Sequence, residues 1–226
     1  MTSKEEILGR IREALKEEAL LPGQGHGDHG LTGAPRQWLP KVGPSAGERL
    51  ALFQAMAKDL KAEVILVRDR AELALSLQRL RDAGQWKKIG IHSGLLTDFV
   101  GDALGLSQCH TDRSYDVHEL ERCDAGITEC DGLIAQTGSV LVTSRSAGGR
   151  ALSVLPPHHV VLARMEQLVP DLLEAFALLK QKHSPNYPSF ISLITGPSRT
   201  GDIERILVLG AHGPKLLTIV VVESFE

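Results

Sequence analysis

From residue 48 onward, short runs rich in β-branched and aliphatic side chains alternate with longer segments whose apolar residues recur at helical spacing. Residues 63–67 (EVILV), 88–92 (KIGIH), 107–110, 158–163, 190–194 and 216–222 (LLTIVVV) are strand-length. Residues 48–60, 69–83, 95–104 and 165–182 carry the helical pattern, and 115–122 carries it weakly. Strands that are apolar along their length, not on every second residue, are covered on both faces. Strands of this kind separated by helices build a parallel sheet between helix layers. Residues 132–143 (GLIAQTGSVLVT) have strand composition interrupted at Thr137-Gly138, which predicts a hairpin or a bent strand. The predicted fold class is α/β, a parallel-rich mixed sheet flanked by helices.

The first 47 residues read differently. Ser3 and Glu6 form a capping-box signature, and Ile7, Leu8, Ile11, Ala14 and Leu15 follow at helical spacing. Residues 21–47 are rich in Gly and Pro and too irregular for an ordinary connection. The expected organisation is an N-terminal helix and arm over 1–47 and one α/β domain over 48–226.

Composition excludes several classes. A net charge of −3 lacks the basic surplus of a general nucleic-acid binder, and 4% aromatic residues leave little for base stacking. The longest apolar run is strand-sized, well short of the roughly 20 residues of a membrane helix. The charged, amphipathic start has no apolar core of a signal peptide, so a cytoplasmic address is expected. Three cysteines, Cys109, Cys123 and Cys130, fit a reducing compartment and do not have zinc-ribbon or cluster-ligand spacing.

Three loops carry the chemistry. The apolar run at 190–194 stops at Gly196-Pro197; Ser198, Arg199, Thr200 and Asp202 follow, and an apolar pattern restarts at Ile203. That order predicts a strand, a tight turn and a helix start at the carboxyl end of a strand, where α/β sheets bind ligands. Two readings fit: an anion pocket built from backbone N–H groups, hydroxyls and one guanidinium, or a polar turn in which Thr200 or Asp202 caps a helix. His212, in the second turn at 210–214 (GAHGP), falls beside it if the last two strands are neighbours. The second loop runs from Thr128 to Ser139. Glu129 and Asp131 offer carboxylates, Thr137 and Ser139 offer hydroxyls, and Gly138 permits positive φ; the alternative is a solvated turn. The third, 144–150, offers Arg145 and Arg150 around Gly148-Gly149, either an anion nest or a flexible basic loop.

Other candidates are weaker. His26 and His29 flank Asp28 in a Gly-rich stretch that is poorly organised for a metal. His92 follows a strand. His158-His159 begins another, where alternation turns only one ring inward. Cys130 is a nucleophile only if its thiolate is stabilised. The chain contains no GxGxxG, no GxxxxGK[ST] and no GxSxG motif.

At these residues the chain resembles a known family. Gly132-Leu-Ile-Ala-Gln-Thr-Gly138-Ser139, Leu155-Pro-Pro-His158, Gly196-Pro-Ser-Arg-Thr-Gly-Asp-Ile-Glu204 and Gly210-Ala-His-Gly-Pro214 are similar, in this order, to blocks of the LUD-domain proteins of the lactate utilisation protein C type. The resemblance covers about residues 48–226. It implies a fold similar to the sugar-phosphate isomerase, CoA-transferase and formyltetrahydrofolate cyclo-ligase superfamily. It also implies participation in oxidation of L-lactate to pyruvate beside iron–sulfur partner proteins, with this chain as the subunit that lacks clusters. Family members commonly carry Glu where this chain has Gln136, and a neutral amide cannot act as a carboxylate base. The resemblance assigns no catalytic residue and no cofactor. On this reading Arg199 clamps a small anion, Ser198 and Thr200 donate to it, and His212 orients it. The alternatives are a stand-alone enzyme of the cyclo-ligase or CoA-transferase type and a metabolite sensor.

Overall fold

The computed structural model describes residues 3–14, 39–112, 114–200, 208–209 and 213–225. The chain divides into two units, 1–39 and 40–226. In the first, the described element is helix α1 (Ser3–Ala14).

The second unit is built on a six-stranded sheet. In chain order its elements are α2 (Ala46–Asp59), β1 (Glu63–Val67), α3 (Arg70–Gly84), β2 (Lys88–Ile91), α4 (Leu95–Leu104), β3 (Ser107–His110), α5 (Val117–Glu121), β4 (Ala125–Thr128), β5 (Gly132–Ile134), β6 (Ser139–Thr143), β7 (His158–Arg164), β8 (Leu168–Val169), α6 (Leu172–His183), β9 (Ile191–Ile194), β10 (Arg199–Thr200), β11 (Val208–Leu209) and β12 (Leu216–Val222). The sheet order is β1-β12-β7-β4-β2-β3, and every pairing in it is parallel. A second, mixed sheet has the order β8-β5-β6-β9. Its β5–β6 hairpin is the bent element expected at 132–143, and Gly138 turns it at φ +63°.

Layering follows from alternation along the strands. In β7, Val160 and Leu162 face a core shared with α3 and α4, while Val161 and Ala163 face a core shared with α2 and the hairpin. The far face of the second sheet packs Ile134 and Leu141 against Ala175 and Leu179 of α6. All these side chains are buried. Each fully buried aliphatic contributes about 1.5–3 kcal/mol, so the two cores hold the sheet from both sides.

Caps set the helix starts. The Ser45 hydroxyl accepts from Glu48 N at 3.2 Å, and Glu48 Oε2 accepts from Ser45 N at 3.0 Å. Asp69 caps α3, accepting from Glu72 N at 3.0 Å. The helix expected over 165–182 begins only at Leu172, because Asp171 caps it, accepting from Glu174 N at 3.0 Å. Ahead of Asp171, Leu168 and Val169 pair with Leu133 and Ile134 instead. Strand β4, central in the sheet, has no counterpart among the expected elements; its four residues, AGIT, are too few and too small for periodicity to show.

In this topology the connection leaving β2 runs outward to β3, and the one leaving β4 runs the opposite way to β7. The carboxyl ends of β2 and β4 therefore form the topological switch point.

Candidate functional site

The switch point is filled by the protein's own side chains. Glu129, after β4, reaches the start of α4, where its Oε1 accepts from Leu96 N at 2.7 Å and Thr97 N at 3.3 Å. Gly94, the N-cap of α4, supplies no side chain, and a Cβ there would collide with the Glu129 carboxylate. Glu129 thus caps α4 from another strand. His92 is buried with both ring nitrogens engaged: Nε2 accepts from Glu129 N at 3.1 Å and Nδ1–H donates to Ser93 O at 3.0 Å.

An open cavity of about 290 Å³ lies instead between the two sheets, near the amino ends of β7 and β12. That volume sits at the low end of small-molecule sites. Its polar lining includes Arg150, Ser153, His159, Ser192, Thr195 and Ser198. Strand β9 alternates, turning Ser192 and Ile194 inward and leaving Ile191 and Leu193 exposed. Beyond it, Gly196 takes φ +83°, and Ser198 N donates to Pro214 O at 2.9 Å. This bond joins the GPSR turn to the start of β12 although β9 and β12 belong to different sheets. The guanidinium of Arg150 makes no hydrogen bond or ion pair among the described residues, whereas its main-chain carbonyl accepts from Ser153 Oγ at 3.0 Å.

His158 and His159 are both buried, contrary to the expectation that one faces out, because the sheet is covered on both faces. His158 lies edge-on to Trp86, and its Nε2–H donates to Thr218 Oγ1 at 2.9 Å; Thr218 in turn donates to Glu63 Oε2 at 3.1 Å. His159 lines the cavity, with Nε2 2.9 Å from Thr128 Oγ1 and with Nδ1 unpartnered among the described residues. Desolvation pushes the first ring's pKa down to about 4 and the second to about 3, the latter also through the neighbouring His158. Both rings are neutral at pH 7.

None of the remaining expected residues that the structure describes belongs to this lining. Arg199 is exposed and its Nη2 donates to Leu60 O at 2.9 Å, at the end of α2. The backbone of Arg199 and Thr200 forms β10, paired antiparallel with β11, where a helix start was expected. Asp202 and His212 lie outside the described residues, as do His26 and His29. Thr137 Oγ1 is buried and unpartnered among the described residues, and Gly138 packs on α2, where a Cβ would stand 2.6 Å from Ala57 N. Ser139 reaches the cavity lining through a 2.8 Å hydrogen bond to Thr195 Oγ1. Gln136 uses its amide to donate to Pro40 O at 3.0 Å, which a carboxylate cannot do.

Arg145 turns to the end of α6, with Nη1 3.3 Å from His183 Nδ1 and Nη2 donating to Asn186 O at 3.0 Å. Asp131 is buried beside His183 and Lys182, at 3.5 Å and 3.4 Å. Cys130 is buried, and burial pushes its thiol up, away from nucleophilic use. Sequence reasoning ranked His159 below the loop residues; the signal was its place at the start of a strand beside two prolines. Ser192 carried no signal beyond its place inside an apolar run.

Among the described residues, no helix is long and apolar enough to cross a membrane, and no group of three or more His, Cys, Asp or Glu is placed to hold a metal ion. Curated proteins similar to the chain include lactate utilization protein C of Anoxybacillus flavithermus, 37% identical over 106 residues, 47% of each chain. Lactate utilization protein C of Bacillus licheniformis is 33% identical over 145 residues, covering 62% of this chain and 60% of that one. The chain thus spans roughly half of the curated relatives it matches. Among solved structures, a DUF162 family protein from Deinococcus radiodurans has the same fold, with a TM-score of 0.64 at 24% identity over 79% of this chain and 98% of that one. The LUD domain profile matches residues 2–222, and the chain therefore belongs to the LUD-domain family.

Proposed function

We propose that this chain serves lactate utilisation as a subunit without iron–sulfur clusters, acting with iron–sulfur partner proteins in the oxidation of L-lactate to pyruvate, and that it holds a small anion in the cavity between its sheets. The names of its relatives support the pathway. The observation that carries the anion is Arg150, an exposed residue that lines a 290 Å³ cavity together with Ser192 and Ser198 and whose guanidinium makes no ion pair among the described residues. A guanidinium beside hydroxyl donors is suited to a carboxylate.

Two measurements test this reading. Calorimetric titration with small carboxylates detects binding to the native chain, and Arg150→Ala weakens all of them together. Dye-linked lactate oxidation then requires the partner proteins; turnover by the purified chain alone defeats the cluster-free subunit role. The cyclo-ligase or CoA-transferase alternative needs a carboxylate nucleophile or a nucleotide site; position 136 is an amide and Glu129 Oε1 is engaged at α4, which weakens the first of these.

A further inference from the structure

The wall of the cavity is apolar over a longer reach than a three-carbon acid covers. Phe190, just ahead of β9, and Ile194, at its end, both line the cavity, with Ser192 between them. At about 3.3 Å per residue they stand roughly 13 Å apart along the strand direction. Both pack against the core and stay half-buried. Val154 and Leu217 add to the lining, and Val154 is 40% exposed. Backbone bonds around the opening hold it in place. Gly196 turns at φ +83°, Ser198 N donates to Pro214 O at 2.9 Å, and Lys215 N donates to Pro157 O at 2.8 Å. A concave apolar surface kept open to water is unfavourable in proportion to its area, and a ligand that covers it removes that term.

We infer that the cavity takes a monocarboxylate with a medium-length apolar tail, its carboxylate at Arg150 and its tail along Phe190, Ile194 and Val154. This rests on the anion-site reading above and sharpens it from any small carboxylate to an amphiphilic one. Volume sets the length of the tail. Lactate and pyruvate have six non-hydrogen atoms; even at the roughly 30 Å³ that a water molecule takes in the liquid, these fill less than about two-thirds of the 290 Å³. Octanoate, with ten, matches the cavity on the same measure. A three-carbon acid therefore leaves part of the apolar wall wet, and a medium-length tail covers it. A mainly apolar lining with a few polar groups that fix orientation is what such a ligand requires. Phe190, Ile194 and Val154 are specificity-determining residues in this arrangement.

The test is calorimetric titration of the full chain and of Val154→Ser with butanoate, hexanoate and octanoate. In the native protein each added pair of CH2 groups should tighten binding about tenfold, at one site per chain. Val154 is exposed, so its replacement by serine leaves the cores intact. That variant should lower the octanoate-to-butanoate preference at least about threefold while butanoate stays within about twofold of its native affinity. Should the serine variant not fold, Val154→Thr keeps the shape of the side chain and should lower the same preference about twofold. A native series without the rise overturns the apolar tail and leaves the anion site standing. A rise unchanged in the Val154 variants places the tail elsewhere on the protein and overturns the inference as well. Octanol bound as tightly as octanoate strikes out the carboxylate at Arg150. Failure of all three acids to bind the native chain overturns the anion site itself, and this inference with it.

Discussion

The two ends of the parallel sheet meet the same problem and solve it differently. At the carboxyl end of the switch point, where α/β sheets usually keep a crevice for ligands, two N–H groups at the start of α4 are satisfied by Glu129, and both nitrogens of His92 are occupied. At the amino end, the second sheet stands away from β7 and β12 and leaves a 290 Å³ cavity lined by the exposed Arg150 and by His159; neither the Arg150 guanidinium nor His159 Nδ1 has a partner among the described residues. A polar group already paired within the fold contributes to stability; a buried one left unpaired costs stability, and an exposed one stays available to a ligand. On the proposed reading, the carboxyl end serves structure and the amino end serves recognition.

Acid should break the amino end first, and this is the largest expected effect. The native pKa values of His158 and His159 are lowered to about 4 and about 3 from an ordinary value of 6.5. Between those values the unfolded chain binds more protons than the folded one, so stability is full above about pH 6.5 and falls as pH drops. Each ring contributes a slope of up to about 1.4 kcal/mol per pH unit. Urea denaturation between pH 7 and pH 4.5 measures it, and a His158→Asn/His159→Asn pair should flatten the slope. An unchanged slope would place the acid-labile groups elsewhere.

Glu129→Ala is next. It strips two partly buried N–H groups at the start of α4 of their acceptor, an expected loss of about 2 kcal/mol, while Glu129→Gln keeps an acceptor oxygen and should lose less. Carboxylate binding should be unchanged in both. A loss of affinity larger than the loss of stability explains would make the switch point a ligand site after all. Arg150→Ala should do the reverse: about tenfold weaker binding, equivalent to about 1.4 kcal/mol, with stability changed by less than about 0.5 kcal/mol.

Much of this architecture is legible in the sequence, for identifiable reasons. EVILV, KIGIH and LLTIVVV are apolar throughout because both faces of the sheet are covered, and the Thr137-Gly138 break marks the hairpin because only glycine adopts that φ so close to α2. Strand β4 is illegible because AGIT is held by its neighbours, with Gly126 packed under the Leu152 carbonyl where a Cβ would collide. The candidate site is only partly legible. Its segments can be found by their glycines and hydroxyls, yet which side chains converge depends on long-range pairing. Arg145 and Arg150 lie five residues apart, and one turns to α6 while the other lines the cavity. That Nδ1 of His159 has no partner among the described residues is a property of what surrounds the ring, which no local pattern encodes.

Arg199 gives the smallest expected effect and the sharpest check on the comparison. By type and position it was the sequence's first choice for an anion clamp, and it sits one residue from Ser198, which does line the cavity. Its guanidinium nevertheless leaves the cavity side and donates to Leu60 O, the carbonyl at the carboxyl end of α2. The tight turn at Gly196 brings this about, since a Cβ there would stand 2.6 Å from the same carbonyl and 2.7 Å from Arg199 Nη2. A cation at a helix carboxyl terminus stabilises by a few tenths of a kcal/mol to about 1 kcal/mol when exposed. Arg199→Ala should therefore cost less than about 1 kcal/mol in urea denaturation and change carboxylate affinity by no more than about twofold. Loss of affinity comparable to that of Arg150→Ala would mean that the guanidinium swings from Leu60 to the ligand on binding, and the site would then extend along the whole GPSR turn.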